Sequence, residues 1–347
     1  MTTFLISLAV SCQSFHAAPW PKCGSSVDFK VGRQQVSSQR WMKDLKSNIG
    51  NVKLSQMKIP ATHDSGTYGI NDFRSYSNDI SSDPVMALIP TLVAIFTEYG
   101  LNTTNIKSFI APWMRTQRCS IKDQLTHGVR HLDLRVCISS TGQFQLCHAL
   151  SANNVSAELS DIKQWSDSHP GELISMDFNH LYGFATQAIH QAFANMVLST
   201  LGQENIATLT FNNTYNEFVA SNKRFKLFYQ SSTYAPLLLA EPSANIVTPW
   251  ANVQDMVSLK AGIVSELASR NDFTKGFVSQ ILLTPSLNMM INGIVTNLHS
   301  VAELSQQQYS VVSNWVQSSL NHTALNVINT DFYYADFIKQ VISLNVN

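Results

Sequence analysis

The chain has 347 residues, 44% of them hydrophobic and 13% charged, with Lys+Arg and Asp+Glu both numbering 23, so the formal net charge is zero. Globular domains usually carry about a quarter charged residues, so this surface must rely on Ser, Thr, Asn and Gln. The balance excludes a disordered polyelectrolyte and a nucleic-acid binder, because no basic excess exists to neutralise phosphates. Any anionic group must be held by a few placed residues.

Residues 1–18 read as a signal peptide: a short apolar stretch from Phe4 to Val10, then polar residues, then His16-Ala17-Ala18. Cleavage is expected near Ala17 or Ala18, although the usual positive n-region is lacking. The expected location is therefore outside the cell, and the competing reading is a disordered cytosolic N-terminus. Loss of the leader removes Cys12 and leaves Cys23, Cys119, Cys137 and Cys147, an even set that permits two disulfides. Cys137 and Cys147 flank a tight connection and are placed to face each other. Asn102, Asn154, Asn212 and Asn321 begin glycosylation sequons, which matter only in a secretory pathway. No apolar run reaches the roughly 20 residues of a membrane span.

In chain order, strands are expected at Gln56–Pro60, Val129–Ile138, Gln143–His148, Glu172–Asn179, Arg224–Gln230, Asn245–Thr248, Gly276–Leu283 and Ala324–Asp331. Helical periodicity marks Ser156–Ser168, Phe184–Leu201, Val253–Ser269 and Tyr309–Leu320. This alternation predicts one α/β domain over residues 25–347, a distorted (β/α) barrel of the TIM type. An open doubly wound sheet is disfavoured because the Gly-rich phosphate turn is missing. The long connection after the first strand contains the apolar run Val85–Phe96, expected as a helical pair on the barrel wall; the other reading is a segment at a membrane interface.

The polar residues at strand ends carry the chemistry. His63 and Asp64 follow the first strand. Asp133 and Arg135 lie two apart in His131-Leu132-Asp133-Leu134-Arg135-Val136, so they share one strand face while the leucines take the other. His148, Asp177, Asn179 and Asp331 end later strands, and in a barrel such ends converge on one rim. An Asp-x-Arg pair facing inward is costly to desolvate without partners or a ligand. Two histidines can serve as general base and general acid near neutral pH, and an arginine can bind phosphate and its developing charge. The set suits phosphodiester cleavage by a neighbouring hydroxyl.

At Ile59-Pro60-Ala61-Thr62-His63-Asp64-Ser65, at Gln117 to Leu125 and Gly128 to Arg135, at His148, at Gln280 to Pro285 and at Asn329 to Phe332, the sequence resembles the X domain of phosphatidylinositol-specific phospholipase C. The match is to the metal-independent bacterial enzymes and the eukaryotic X-domain-containing proteins, in order from about Trp41 to Asn345. The resemblance implies a distorted, incompletely closed TIM-type barrel. It also implies His63 as general base on an inositol 2-hydroxyl, oriented by Asp331, and His148 as general acid partnered by Asp64. Arg135 would bind phosphate, with Asp133 positioning these groups. The implied products are diacylglycerol and inositol 1,2-cyclic phosphate, from phosphatidylinositol or a glycosyl-phosphatidylinositol anchor.

Two departures refine this. Calcium-dependent members carry an acidic residue where Arg135 stands, so no metal or other cofactor is expected. The bacterial enzymes have a lysine roughly where Asn179 falls, so Asp177, Asn179 and His180 are expected to recognise the headgroup differently. Tyr229 and Trp250 are weaker candidates for the inositol ring. The expected partner is a phospholipid at a membrane surface. The alternatives are another lipid or glycerol phosphodiesterase on the same barrel, and a catalytically weak phosphoinositide binder, which would not need the acid–base pair.

Overall fold

The computed structural model of the chain describes residues 23–81, 89–98, 103–293, 298–318, 320 and 322–346. The leader, Cys12, the sequon asparagines Asn102 and Asn321, and the start of the Val85–Phe96 run lie outside the described residues.

A short antiparallel hairpin, β1 (Asp28–Val31) and β2 (Gln34–Ser37), precedes the barrel. The barrel strands are β3 (Ile59–Thr62), β4 (His131–Ile138), β7 (Ile174–Tyr182), β8 (Phe225–Tyr229), β9 (Glu241–Pro242), β10 (Ile246–Val247), β11 (Gly276–Gln280) and β12 (Val327–Thr330). Every pairing along the path β10-β11-β12-β3-β4-β7-β8-β9 is parallel. No ladder joins β9 to β10 among the described residues. They are linked instead by a single 3₁₀ turn, Ser243–Asn245, so the barrel is nearly but not fully closed. Outside this circuit, β5 (Phe144–His148) pairs antiparallel with β4, and β6 (Leu150–Asn154) with β5.

The parallel register places matching positions in layers. Gln280, Asn329, Ala61, His131, Ser175 and Lys226 are level with one another across six strands and are all buried. One step toward the carboxyl ends, Asp133, Asp177, Phe228 and Glu241 are in register. Thr330 pairs with Thr62 and Thr62 with Leu132, so Asp331 and His63 enter this same upper layer. Alternation buries Leu132, Leu134 and Val136 against the helices and turns Asp133 and Arg135 inward.

The entry into β4 is fixed by local sequence. Ser120 caps the helix Ile121–His127 by accepting from the Asp123 N–H, and Gly128 ends it at φ 113°. A side chain at Gly128 would meet Ile338 Cγ2 at 2.9 Å, so the position needs glycine for space as well as for backbone angle. Arg130 follows and is fully buried. Its Nε and Nη2 each reach Glu172 Oε2 at 2.8 Å, its Nη1 donates to the carbonyls of Leu125 and Val129, and its guanidinium lies 4.7 Å from the Trp165 ring. Arg130→Met strands the Glu172 carboxylate in the core, so we expect a loss of about 3–5 kcal/mol of stability, read as a lower urea midpoint. A shift below 1 kcal/mol would show the pair to be dispensable.

Several expectations are corrected. The first strand lies at 59–62 rather than 56–60, because Leu54–Gln56 forms a 3₁₀ turn, so His63 follows the strand directly. The strand expected at Asn245–Thr248 shrinks to Ile246–Val247. The hairpin β1–β2, β6, β9 and the helices Thr103–Met114, Ile121–His127 and Ala335–Ser343 were not anticipated. In the long connection, Ile89–Glu98 and Thr103–Met114 form a packed helical pair. The second helix buries Ile106, Ile110, Trp113 and Met114 and packs on Val301–Ser318. No described helix is long and apolar enough to cross a membrane. Cys137 and Cys147, the pair that the tight connection placed opposite one another, are bonded, and Cys23 pairs with Cys119, a partnership the sequence left open.

Candidate active site

The turn after β3 carries the first pair of groups. Asp64 sits at φ 42°, a left-handed conformation that an aspartate holds only with support. Its N–H donates to Asp133 Oδ2 at 3.1 Å, and Thr67 Oγ1 donates to its carbonyl at 2.9 Å. Thr116 Oγ1 and Gln117 Nε2 both donate to the His63 carbonyl at 2.8 Å. Gln124, fully buried, donates to the Ser65 carbonyl and accepts from Thr62 Oγ1. Residues 116–124 therefore act as a backbone splint for the His63–Asp64 turn. A role for Thr67, Thr116 and Gln124 was not foreseen; the signal for Gln124 was its place in the Gln117 to Leu125 block.

Six predicted residues come together at the carboxyl end of the barrel. His63 Nδ1 lies 2.7 Å from Asp331 Oδ1, and Arg135 Nη2 is 3.0 Å from His63 Nε2. A guanidinium only donates, so the Arg135 contact requires the neutral His63 ring, with its lone pair on Nε2 and its proton on Nδ1 facing Asp331. Arg135 Nε lies 2.6 Å from Asp64 Oδ1, and Asp64 Oδ2 is 3.7 Å from His63 Nε2 and 3.6 Å from His148 Nδ1. Among the described residues neither Asp64 oxygen has a properly angled hydrogen bond, although the carboxylate is buried. Such a group keeps capacity to accept from a reacting molecule.

His148 arrives by a different route from the one expected. It ends β5, which lies outside the parallel circuit, and is brought over the rim by the β4–β5–β6 hairpins. The Cys137–Cys147 bond ties this hairpin one residue before His148. Its Nδ1 is 2.8 Å from the Met114 carbonyl, so that carbonyl, and not Asp64, orients the ring. The two imidazoles lie edge to face, with ring centres 6.5 Å apart and planes at 77°.

Electrostatics follow from this crowding. Burial by itself depresses the His63 pKa, but Asp64 and Asp331 outweigh both burial and the opposing Arg135, and raise it to about 9. The guanidinium is already paired with Asp64, which leaves a net pull toward the imidazolium. Burial disfavours the charge on Arg135, yet Asp64 and Asp133 hold it above its ordinary range. Burial pushes the Asp133 carboxyl up, and His63, Arg135 and the Asp64 N–H more than reverse this, so it is held low and ionised. Burial pushes Asp331 up, against the pull of His63.

The headgroup candidates divide. Asn179 Nδ2 donates to Asp133 Oδ1 at 2.6 Å and so belongs to the cluster. Asp177 is 1% exposed and takes a hydrogen bond from Ser243 Oγ at 2.7 Å. Burial pushes its carboxyl up to about 8, with Asp133 adding and Ser243 opposing, so it is a neutral acid at neutral pH. Tyr229 is fully buried and lies 2.7 Å from His190 Nδ1 in the core, while Trp250 is half exposed and donates to Thr284 Oγ1.

His63, Asp64 and Asp133 offer ligand atoms within 4.8 Å of one another, a spacing that a metal ion would accept. Arg135 occupies this cluster with its own positive charge, in contact with Asp64, so the residues present do not fit a divalent cation.

Residues 105–258 match the PI-PLC X family. The matched segment contains Asp133, Arg135 and His148. That segment is similar to the PI-PLC X domain. PI-PLC X domain-containing protein 3 of Bos taurus is 24% identical over 321 residues, covering 90% of this chain and 95% of the relative. PI-PLC X domain-containing protein 2 of Mus musculus is 28% identical over 327 residues, covering 90% and 88%. The variant-surface-glycoprotein phospholipase C of Trypanosoma brucei brucei is 30% identical over 159 residues, covering 44% of this chain and 42% of that one. Among solved structures, the phosphatidylinositol-specific phospholipase C of Listeria monocytogenes superposes with a TM-score of 0.56 at 16% identity, covering 88% of this chain and 98% of that one. A Staphylococcus aureus phosphatidylinositol-specific phospholipase C gives 0.58 at 16% identity, covering 91% and 99%. At that identity the likeness establishes the barrel architecture of the PI-PLC X fold and nothing finer.

Proposed function

We propose that this protein cleaves the phosphodiester of phosphatidylinositol, or of a glycosyl-phosphatidylinositol anchor, by two-histidine acid–base catalysis without a metal. The observation that carries the reading is the pair of imidazoles, 6.5 Å apart, with a guanidinium between the carboxylates beneath them. His63 Nε2, released from Arg135, takes the proton of the inositol 2-hydroxyl as its oxygen bonds to phosphorus. The bond from phosphorus to the glycerol oxygen breaks, and that oxygen takes a proton from His148. Diacylglycerol and inositol 1,2-cyclic phosphate leave. Arg135, freed to face the phosphate, stabilises the charge that develops on its oxygens. Asp331 keeps the His63 proton on Nδ1, and the Met114 carbonyl does the same for His148.

A membrane surface as the place of action is supported by two apolar side chains beyond the barrel's carboxyl end. Phe73, after β3, is 86% exposed, and Trp250, after β10, is half exposed. The two disulfides favour an oxidising compartment and support an extracellular location.

Phosphorus-31 NMR of the protein with phosphatidylinositol micelles in excess EDTA tests the reading, with His63→Ala as control. We expect a cyclic inositol phosphate signal in EDTA that the control lacks. A signal that appears only with added calcium would overturn the metal-independent mechanism. Turnover of glycerophosphodiesters with none of phosphatidylinositol would favour the second phosphodiesterase class.

A further inference from the structure

β7 contains a bulge at the level of the site. Asp133 pairs with Asp177 and Arg135 with His180, so two steps along β4 are matched by three along β7. Phe178 turns outward and packs on Phe193 of the helix Gln187–Leu201. The extra residue lets Asn179 and His180, which are adjacent, both address the inner face, which a regular strand forbids. Asn179 reaches Asp133, and His180 is level with Arg135.

The hydrogen bonds define the tautomer of His180. The Asp133 carboxylate only accepts, so the Asn179 amide nitrogen faces it and the amide oxygen faces His180 Nδ1, at 2.8 Å. Nδ1 therefore carries the proton and Nε2 is a bare lone pair. No group among the described residues hydrogen-bonds to that nitrogen, and His180 is only part-buried. Burial and the charge of Arg135, with a smaller contribution from His63, hold its pKa below the ordinary imidazole range against Asp133 and Asp64, so the ring is neutral. A neutral acceptor beside the phosphate-binding guanidinium has no favourable contact with a phosphate oxygen, which is itself an acceptor. It matches a hydroxyl.

We propose that His180 is a specificity-determining residue whose Nε2 accepts a hydrogen bond from a ring hydroxyl of a polyol headgroup, with Asn179 and Asp133 as its tether. This rests on the function proposed above and names a contact beyond the phosphate. The chain of contacts also couples headgroup binding to catalysis, since Asp133 holds the Asp64 N–H through its other oxygen.

The test is a calorimetric titration of myo-inositol 1-phosphate and of methyl phosphate into the wild type, His180→Asn and His180→Ala. In His180→Asn the amide nitrogen replaces ring Nδ1 and keeps the tether, but nothing replaces Nε2. We expect the wild type to bind inositol phosphate more tightly than methyl phosphate. His180→Asn should weaken inositol phosphate roughly fivefold, the scale of one net hydrogen bond, and leave methyl phosphate unchanged, which also reports an intact fold. Wild-type affinity for inositol phosphate in His180→Asn would reduce His180 to a structural tether and overturn the proposal. Equal wild-type affinity for the two ligands would defeat the polyol-headgroup reading together with the proposal, whereas a ring preference that survives in both variants would defeat the His180 assignment alone.

Discussion

Arg135→Lys is expected to lower kcat/KM for phosphatidylinositol by roughly 10²–10³-fold, the scale of losing one preorganised donor to transition-state charge. The guanidinium touches two groups at once, Asp64 through Nε at 2.6 Å and His63 through Nη2 at 3.0 Å. An ammonium is a single point of charge and cannot span both while still meeting a phosphate. The charge is preserved in this substitution, so the ion pair with Asp64 survives in part and the fold should hold. The loss should therefore fall on kcat more than on KM. Steady-state turnover of the two proteins, with denaturant midpoints as a check on folding, decides the matter. Activity within threefold of the wild type would place the phosphate elsewhere.

Asp331→Asn should move the pH profile as well as the rate. One histidine must be neutral and the other protonated, so kcat/KM should be bell-shaped. The His63 pKa is raised to about 9, so one limb of that bell is expected near pH 9. Asp331 contributes to that rise by charge and by the 2.7 Å hydrogen bond, so its replacement by a neutral amide brings the limb to lower pH. The same change puts an amide that can also donate where a carboxylate could only accept, so the proton is no longer held on Nδ1, and the rate at the optimum should fall by roughly 10²–10⁴-fold. The profile of kcat/KM between pH 5 and 10, recorded for both proteins, carries the comparison. A flat wild-type profile would end the two-histidine assignment. A variant with its limb unmoved would mean that Asp64 alone sets the proton affinity of His63.

The barrel was legible because its parallel strands are buried on both faces and read as apolar runs, with polar residues inserted where they point inward. Glu172–Asn179 and Arg224–Gln230 were found closely in this way, and β4 almost to the residue. The elements that escaped are those without such a run. β9 has two residues, and β6 reads Leu-Ser-Ala-Asn-Asn, a polar stretch that is a strand only because β5 lies beside it. The helix Ala335–Ser343 is the exception, since its apolar positions do follow the helical period.

The sequence by itself determined the identity of the reacting groups and the face each shares with its neighbours. Alternation in His131-Leu132-Asp133-Leu134-Arg135 commits Asp133 and Arg135 to one side of β4 wherever that strand is placed. Tertiary structure decided what those groups meet. His63 and Asp331 are 268 residues apart and become partners only through the β12–β3 register. His148 is oriented by a backbone carbonyl from a helix, not by the aspartate that stands nearest in the motif. Asp177 is bonded to Ser243, while a bulge carries both Asn179 and His180 inward. The reason is physical. Periodicity is a property of one strand and is written locally, whereas register, bulges and carbonyl partners belong to pairs of strands and exist only once the chain has closed on itself.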